Sequence, residues 1–258
     1  MKRLISLMLA AGIISIPFSS YANTENVSPA ERTKIETVVH EYLIKNPQVL
    51  IEVMQVLQKK QADQAQQTVK LTQKAAPIFA KDLFQRANDP VAGNPNGKVT
   101  IVEFFDYKCP HCVEMAPVIS SVIQSNPDVR VIYKVFPIGG PQSEFATRAA
   151  MAANMQGKYN EFSHAILISG KPLTEEFIFE TAKNTGLDVD RLKKDMDSAA
   201  VKKQIADTID LAKKLKLFGT PAIFIGKTAS SGNEPIDYIP GKTDAAQIQG
   251  LVNKAKGA

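Results

Sequence analysis

The sequence predicts an α/β protein whose strands are separated by a long helical insertion and preceded by an α-helical segment of its own. Three observations predict it. An apolar, β-branched run from Val99 to Phe105 leads within a few residues into Cys109-Pro110-His111-Cys112, after which Val113, Met115, Ala116, Ile119 and Ile123 recur mostly at spacings of three and four. A second strand-like run, Val129 to Phe136, follows one helix-length later, and strand composition returns only at Phe218 to Ile225. Between those two runs, residues 142 to 217 read as helical, broken near Gly157, Gly170 to Pro172 and Gly186 to Asp188.

The chain in order divides into three expected domains. Met1 to Ala22 carries Lys2 and Arg3, an apolar run from Leu4 to Phe18 and a Ser20-Tyr21-Ala22 cleavage pattern, and reads as a signal peptide. That run falls short of the roughly 20 apolar residues of a membrane span, and no transmembrane segment is expected in the mature chain. Residues 23–74 are expected to form a helical oligomerisation domain and stalk. Ser28-Pro29-Ala30-Glu31 resembles a capping box, Asn46-Pro47 breaks the first helix, and a second carries Leu50, Val53, Met54 and Leu57 on one face. Two short helices with that much apolar surface need a partner, and a second copy of the same segment is the simplest, with a dimer favoured over a trimer. From Gln58 to Lys74 the apolar marks weaken to Ala62, Ala65, Val69 and Leu71, as expected of an exposed helix.

Residues 75–258 are expected to form the catalytic domain. Ala75 to Ala87 reads as a helix, and Asn88-Asp89-Pro90 with Gly93-Asn94-Pro95-Asn96-Gly97 supplies turn chemistry before the Val99 strand. The strand, helix, strand succession through residue 136 implies parallel neighbours. Pro137 to Pro141 stops both helix and strand. Pro221, at the first position of the returning strand, is a candidate cis proline. Ile236 to Ile239 reads as a last short strand and Thr243 to Lys254 as a closing helix.

Cys109 and Cys112 are the only cysteines among 258 residues, and they are three apart. In an exported chain such a pair is a reagent rather than a scaffold. At a helix N-terminus, unpaired amide N–H groups and the positive end of the dipole favour an anion over a neutral thiol. A thiolate at Cys109 attacks disulfides and is also a good leaving group, which makes the Cys109 to Cys112 disulfide easy to reduce. His111 offers a further donor or positive charge beside the sulfur, and Pro110 suits a first helical turn that has no use for its missing N–H. Other readings fit less well. Zinc needs four N or S ligands, and two Cys with three His, two of them the remote His40 and His164, do not supply a set. Haem attachment needs His where Val113 stands. A structural disulfide closing so short a loop would restrain the unfolded chain little. With 31 basic residues against 26 acidic, and Lys213, Lys214 and Lys216 on the polar side of a helical pattern, the charge carries no nucleic-acid signature.

Glu103 to Cys112, the segment from Tyr133 to Pro141 and Gly219-Thr220-Pro221, in that order, resemble the DsbA-like thiol:disulfide oxidoreductases. Tyr42-Leu43 and Asn46-Pro47 resemble the helical domain of the oligomeric branch of that family. The resemblance implies a thioredoxin fold with a helical insertion, Cys109 as exposed nucleophile and Cys112 as shielded resolving thiol. It also implies a cis Pro221 facing them, Thr220 offering its backbone to a substrate strand, and Glu103 beneath the site influencing proton transfer from Cys112. Lys134 is not placed in the site. The resemblance implies no cofactor and no metal. It implies a periplasmic protein acting as oxidase or isomerase on unfolded or misoxidised exported proteins, recharged by a membrane redox partner, either a quinone-linked oxidase or a thiol reductant. Two other classes stay open at this point: a holdase that binds through its apolar N-terminal helices, and a dedicated reductase or copper-handling protein.

Overall fold

A computed structural model describes residues 27–257, so the expected signal peptide lies outside the described residues. The chain divides into two compact units, Met1–Lys59 and Lys60–Ala258.

In the first unit, α1 (Pro29–Lys45) opens with the reciprocal capping box expected from its sequence. The Glu31 amide donates to the Ser28 hydroxyl, and the Ser28 amide donates to the Glu31 carboxylate at 3.0 Å. Asn46 ends the helix, its backbone and side-chain N–H groups both donating to the Tyr42 carbonyl. The next helix, α2 (Gln48–Ala75), runs on into the second unit. No residue of α1 is buried, and Ile35, Val38, Tyr42, Ile44, Leu50 and Met54 are each at least half exposed.

In the second unit, the polar part of α2 is exposed through Gln67 and then packs. The Thr72 hydroxyl donates to the Leu215 carbonyl at 2.8 Å, and the Gln73 side chain bonds to Ile236 and Tyr238. The helix expected over residues 75–87 is instead a 3-10 turn, Ala76–Phe79, followed by the short α3 (Ala80–Phe84). Pro77 supplies no N–H for a continuous α-helix, which accounts for the tighter turn.

A five-stranded sheet follows in the order β1-β3-β2-β4-β5. It is made of β1 (Val91–Gly93), β2 (Val99–Phe105), β3 (Val129–Val135), β4 (Ala222–Lys227) and β5 (Asp237–Pro240). As expected, β2 and β3 are parallel; β1, β4 and β5 pair antiparallel to their neighbours. β1, between the two turn segments read from the sequence and not itself foreseen, pairs through three residues, too few to show an alternating pattern. Every residue of β2 is buried because both faces of the sheet are covered. Val102 and Phe104 pack with Phe84, Phe224 and Leu211 on one face. Val99 and Ile101 pack on the other with Met115 and Ile119 of α4 (Pro110–Ser125) and Ile248 and Val252 of α10 (Ala245–Gly257).

Between β3 and β4 lie α5 (Pro141–Met155), α6 (Tyr159–Ile168), α7 (Glu175–Asn184), α8 (Val189–Met196) and α9 (Ala199–Lys214). Ala146, Ala149, Ala150, Ala152 and Ala153 of α5 are fully buried, and their small side chains let neighbouring helices approach closely. This insertion has its own core, which reaches Phe105, Tyr107 and Cys112. The end of β2 and the start of α4 are thereby held between the sheet and the insertion.

Candidate active site

β2 delivers the chain into a turn built by Asp106. Its buried carboxylate accepts from the Lys108 amide at 2.7 Å and the Gly139 amide at 2.6 Å, and its carbonyl accepts from the Cys109 amide at 3.1 Å. One side chain thus ties the segment before the cysteines to the segment after β3. Gly139 must come close for this: a Cβ there would stand 2.9 Å from the Lys108 Cβ and 3.0 Å from the Asp106 Oδ1. Asp106 stands in the motif but has no role in the sequence reading, because its partner lies 33 residues on.

Cys109 is the N-cap of α4 and Pro110 its first residue. Both cysteines are free thiols; Cys109 is half-buried and Cys112 is 2% exposed. The Cys109 Sγ donates to the Thr220 carbonyl at 3.2 Å. The Thr220-Pro221 peptide bond is cis, and the Pro221 carbonyl accepts from the Gly241 amide at 2.8 Å. Cys109, Thr220 and Pro221 are therefore brought together although 111 residues separate the sulfur from its partner carbonyl.

Burial pushes the Cys112 thiol far up from its ordinary value; hydrogen bonding from the Asp106 backbone offsets part of this, and the nearby Glu103 carboxyl adds to it. Glu103 pairs in register with Tyr133 on β3 and Ile223 on β4 and is 4% exposed. Burial pushes its carboxyl up to about 8. Lys134, one residue further along β3, lies on the opposite face and donates to the buried Asp89 carboxylate at 2.5 Å. Desolvation lowers the Lys134 ammonium and raises the Asp89 carboxyl. The strand places an aromatic, not a cation, beside Glu103.

His111 is exposed, and its Nδ1 stands 3.5 Å from the Glu114 carboxylate, which also accepts from Lys242 at 2.5 Å. Lys242 first, then His111, hold the Glu114 carboxyl below its ordinary range. His40 lies exposed on α1. His164, remote from the cysteines in sequence, is exposed on α6 and lines a cavity of about 380 Å³ together with Glu103 and Cys112. Among the described residues no three His, Cys, Asp or Glu side chains converge as a metal site.

The fold is that of a thioredoxin-like α/β protein with a helical insertion, and the DSBA-like thioredoxin domain matches residues 100–242. The chain belongs to that family. The copper resistance protein ScsC N-terminal domain matches residues 31–64. A thioredoxin-like oxidoreductase from Silicibacter pomeroyi DSS-3 is 37% identical, with 69% of this chain and 98% of that one covered and a TM-score of 0.63. BcfH of Salmonella enterica Typhimurium is 30% identical over 88% of this chain and 97% of that one, with a TM-score of 0.65. The thiol:disulfide interchange protein DsbA of Pseudomonas syringae pv. tomato is 30% identical over 159 residues, 59% of this chain and 74% of that protein. Other curated relatives are much longer: the match covers 24% of the Na(+)/H(+) antiporter NhaA 3 of Salinispora tropica, at 28% identity. The chain spans about a quarter of such relatives.

Proposed function

We propose that this protein is an exported, periplasmic thiol:disulfide oxidoreductase that acts on folding proteins through a mixed disulfide at Cys109, with Cys112 as resolving thiol. One observation supports the reading: Cys109, the half-buried N-cap residue of α4, turns its sulfur to the Thr220 carbonyl, while its partner three residues on is buried. In oxidation, a client thiolate attacks Cys109 of the enzyme disulfide and the bonding electron pair leaves on Cys112. A second client thiolate then attacks the client sulfur, closes the client disulfide and releases reduced enzyme. In isomerisation, reduced Cys109 attacks a wrong client disulfide, and Cys112 frees the enzyme if rearrangement stalls. Thr220 and Pro221 offer backbone to the client strand, and Pro110 and His111 shape the surface it meets.

The exposed apolar residues of α1 and of the first half of α2 support self-association, with a dimer favoured, and the match to the ScsC N-terminal domain points the same way. Catalytic domains tethered in this way hold a client by multivalent contact, which favours isomerisation and hinders the membrane oxidase that recharges monomeric enzymes.

The test compares the mature chain, a version lacking residues 23–74 and Cys109→Ser on a client with scrambled disulfides, with the mass of each in solution. The reading expects an oligomer with isomerase activity, a smaller and less active truncated form, and no activity for Cys109→Ser. Undiminished refolding by Cys109→Ser would favour a holdase, and a truncated monomer with full isomerase activity would remove the tethering argument. The copper resistance family matched by residues 31–64 favours a second reading, in which the reduced pair serves copper handling. Failure of the reduced protein to retain Cu(I) against a competing chelator would dispose of direct metal binding.

A further inference from the structure

The last turn of α2 grips both flanks of the segment that holds the cis proline. The Thr72 hydroxyl, fully buried, donates at 2.8 Å to the carbonyl of Leu215, the C-cap residue of α9, and so satisfies one of the acceptors that a helix leaves unpaired at its end. Gln73, the next residue, covers the outer edge of β5. Its side-chain oxygen accepts from the Tyr238 amide at 2.8 Å and its side-chain amide donates to the Ile236 carbonyl, the pair of bonds that a neighbouring strand residue would make. Val69 of α2 joins Leu215, Ala222, Ile236 and Tyr238 in one apolar cluster. From Leu215 the chain runs directly into Thr220, and on the far side β5 ends in Gly241, whose amide donates to the Pro221 carbonyl at 2.8 Å. The exit from α9 has little hold of its own beyond Leu217, whose amide donates to the Ala212 carbonyl at 2.9 Å. Lys216 sits at φ 57°, a left-handed conformation that lysine seldom takes, Phe218 is 61% exposed, and a Cβ on Gly219 would meet nothing within 4 Å.

We propose that Thr72 and Gln73 are positioning residues for the client-binding backbone of Thr220 and Pro221, fixing the chain at Leu215 as it enters and at β5 as it leaves. The inference rests on reading Cys109 as the nucleophile and Thr220 as backbone offered to a client strand. Both residues act at a distance: their partners are the backbone groups of Leu215, Ile236 and Tyr238, and neither bonds to a cysteine. The Thr220 carbonyl stands 3.2 Å from the Cys109 sulfur. A peptide client needs that spacing kept, because its strand must pair with the backbone while its own sulfur lies in line for exchange. A small dithiol has no strand to pair and needs the sulfur alone. Loss of the clamp therefore weakens peptide clients and spares small thiols. The form lacking residues 23–74 loses this clamp together with its means of self-association, so part of its expected deficit on clients belongs to the clamp.

The test is oxidation of a fluorescent dithiol peptide, and separately of dithiothreitol, by the oxidised full-length protein, with the rate followed against thiol concentration. Wild type is compared with Thr72→Val, Thr72→Ser, Gln73→Leu and Leu83→Ala. Leu83 is buried on α3 in the same apolar cluster and serves as a control for lost stability alone. Thr72→Val and Gln73→Leu are expected to raise the half-saturating peptide concentration about fivefold, with the plateau rate and the dithiothreitol rate unchanged. Thr72→Ser, which keeps the hydroxyl, is expected to match the wild type. Leu83→Ala is expected to melt at least as far below the wild type as either clamp variant and to keep the wild-type half-saturation. Wild-type half-saturation in either clamp variant, an equal rise in Leu83→Ala, or a dithiothreitol rate that falls with the peptide rate would overturn the clamp and leave the redox pair standing. A wild type that oxidises neither thiol would remove the redox reading and the clamp with it.

Discussion

Glu103 is a carboxylic acid inside a sheet that is covered on both faces, next to Tyr133 in register and without a cation from Lys134, which turns away to Asp89. Its folded value of about 8 stands above the ordinary carboxylate value, so the folded protein keeps a proton that the unfolded chain has given up. Stability contributed at this residue is therefore present below about pH 4.5 and is lost as the pH rises towards 8, at about 1.4 kcal/mol per pH unit. Glu103→Gln removes this slope. Denaturant unfolding of the reduced protein at pH 5, 6, 7 and 8 should show the variant gaining on the wild type by as much as about 4 kcal/mol across that range. Parallel curves would mean that the carboxyl is not held neutral.

At the scale of the element, the turn between β2 and α4 is held by Asp106 more than by the cysteines that follow it. Asp106→Asn keeps one acceptor but sets an amide N–H against the Lys108 or Gly139 N–H. It is expected to cost about 1 to 3 kcal/mol and to slow thiol exchange at Cys109, read by thermal melts and by the rate at which the oxidised protein oxidises a dithiol peptide; unchanged stability would show the turn to be over-determined without it. The start of α4, the covered β2 and the proline at the head of β4 are all legible in the sequence, because each depends on local chemistry: a helical period after Cys109, an unbroken apolar run, a proline where a strand begins. Asp106, β1 and the cavity of His164 are not legible. Each depends on a partner far along the chain, Gly139 for Asp106, Val131 for Ala92, Cys112 for His164, and no spacing within a window reports such pairs. The 3-10 turn at Ala76–Phe79 was open to a closer reading of Pro77, which a helical tally of apolar residues passes over.

At the scale of the whole molecule, the two units divide the chemistry unequally. Residues 60–258 bring together a reachable sulfur, a buried sulfur and a cis proline, while the described part of the first unit offers apolar helices with none of their α1 residues buried. The central claim concerns the order in which the two sulfurs act, and a covalent trap tests it most directly. Cys112→Ala and Cys109→Ala, each in the full chain, are incubated with a disulfide-containing client, quenched with acid and analysed by mass. The account predicts a client joined to Cys109 in the first variant, released by dithiothreitol, and no adduct in the second. An adduct on Cys112 when Cys109 is absent, or none on Cys109 when Cys112 is absent, would contradict it.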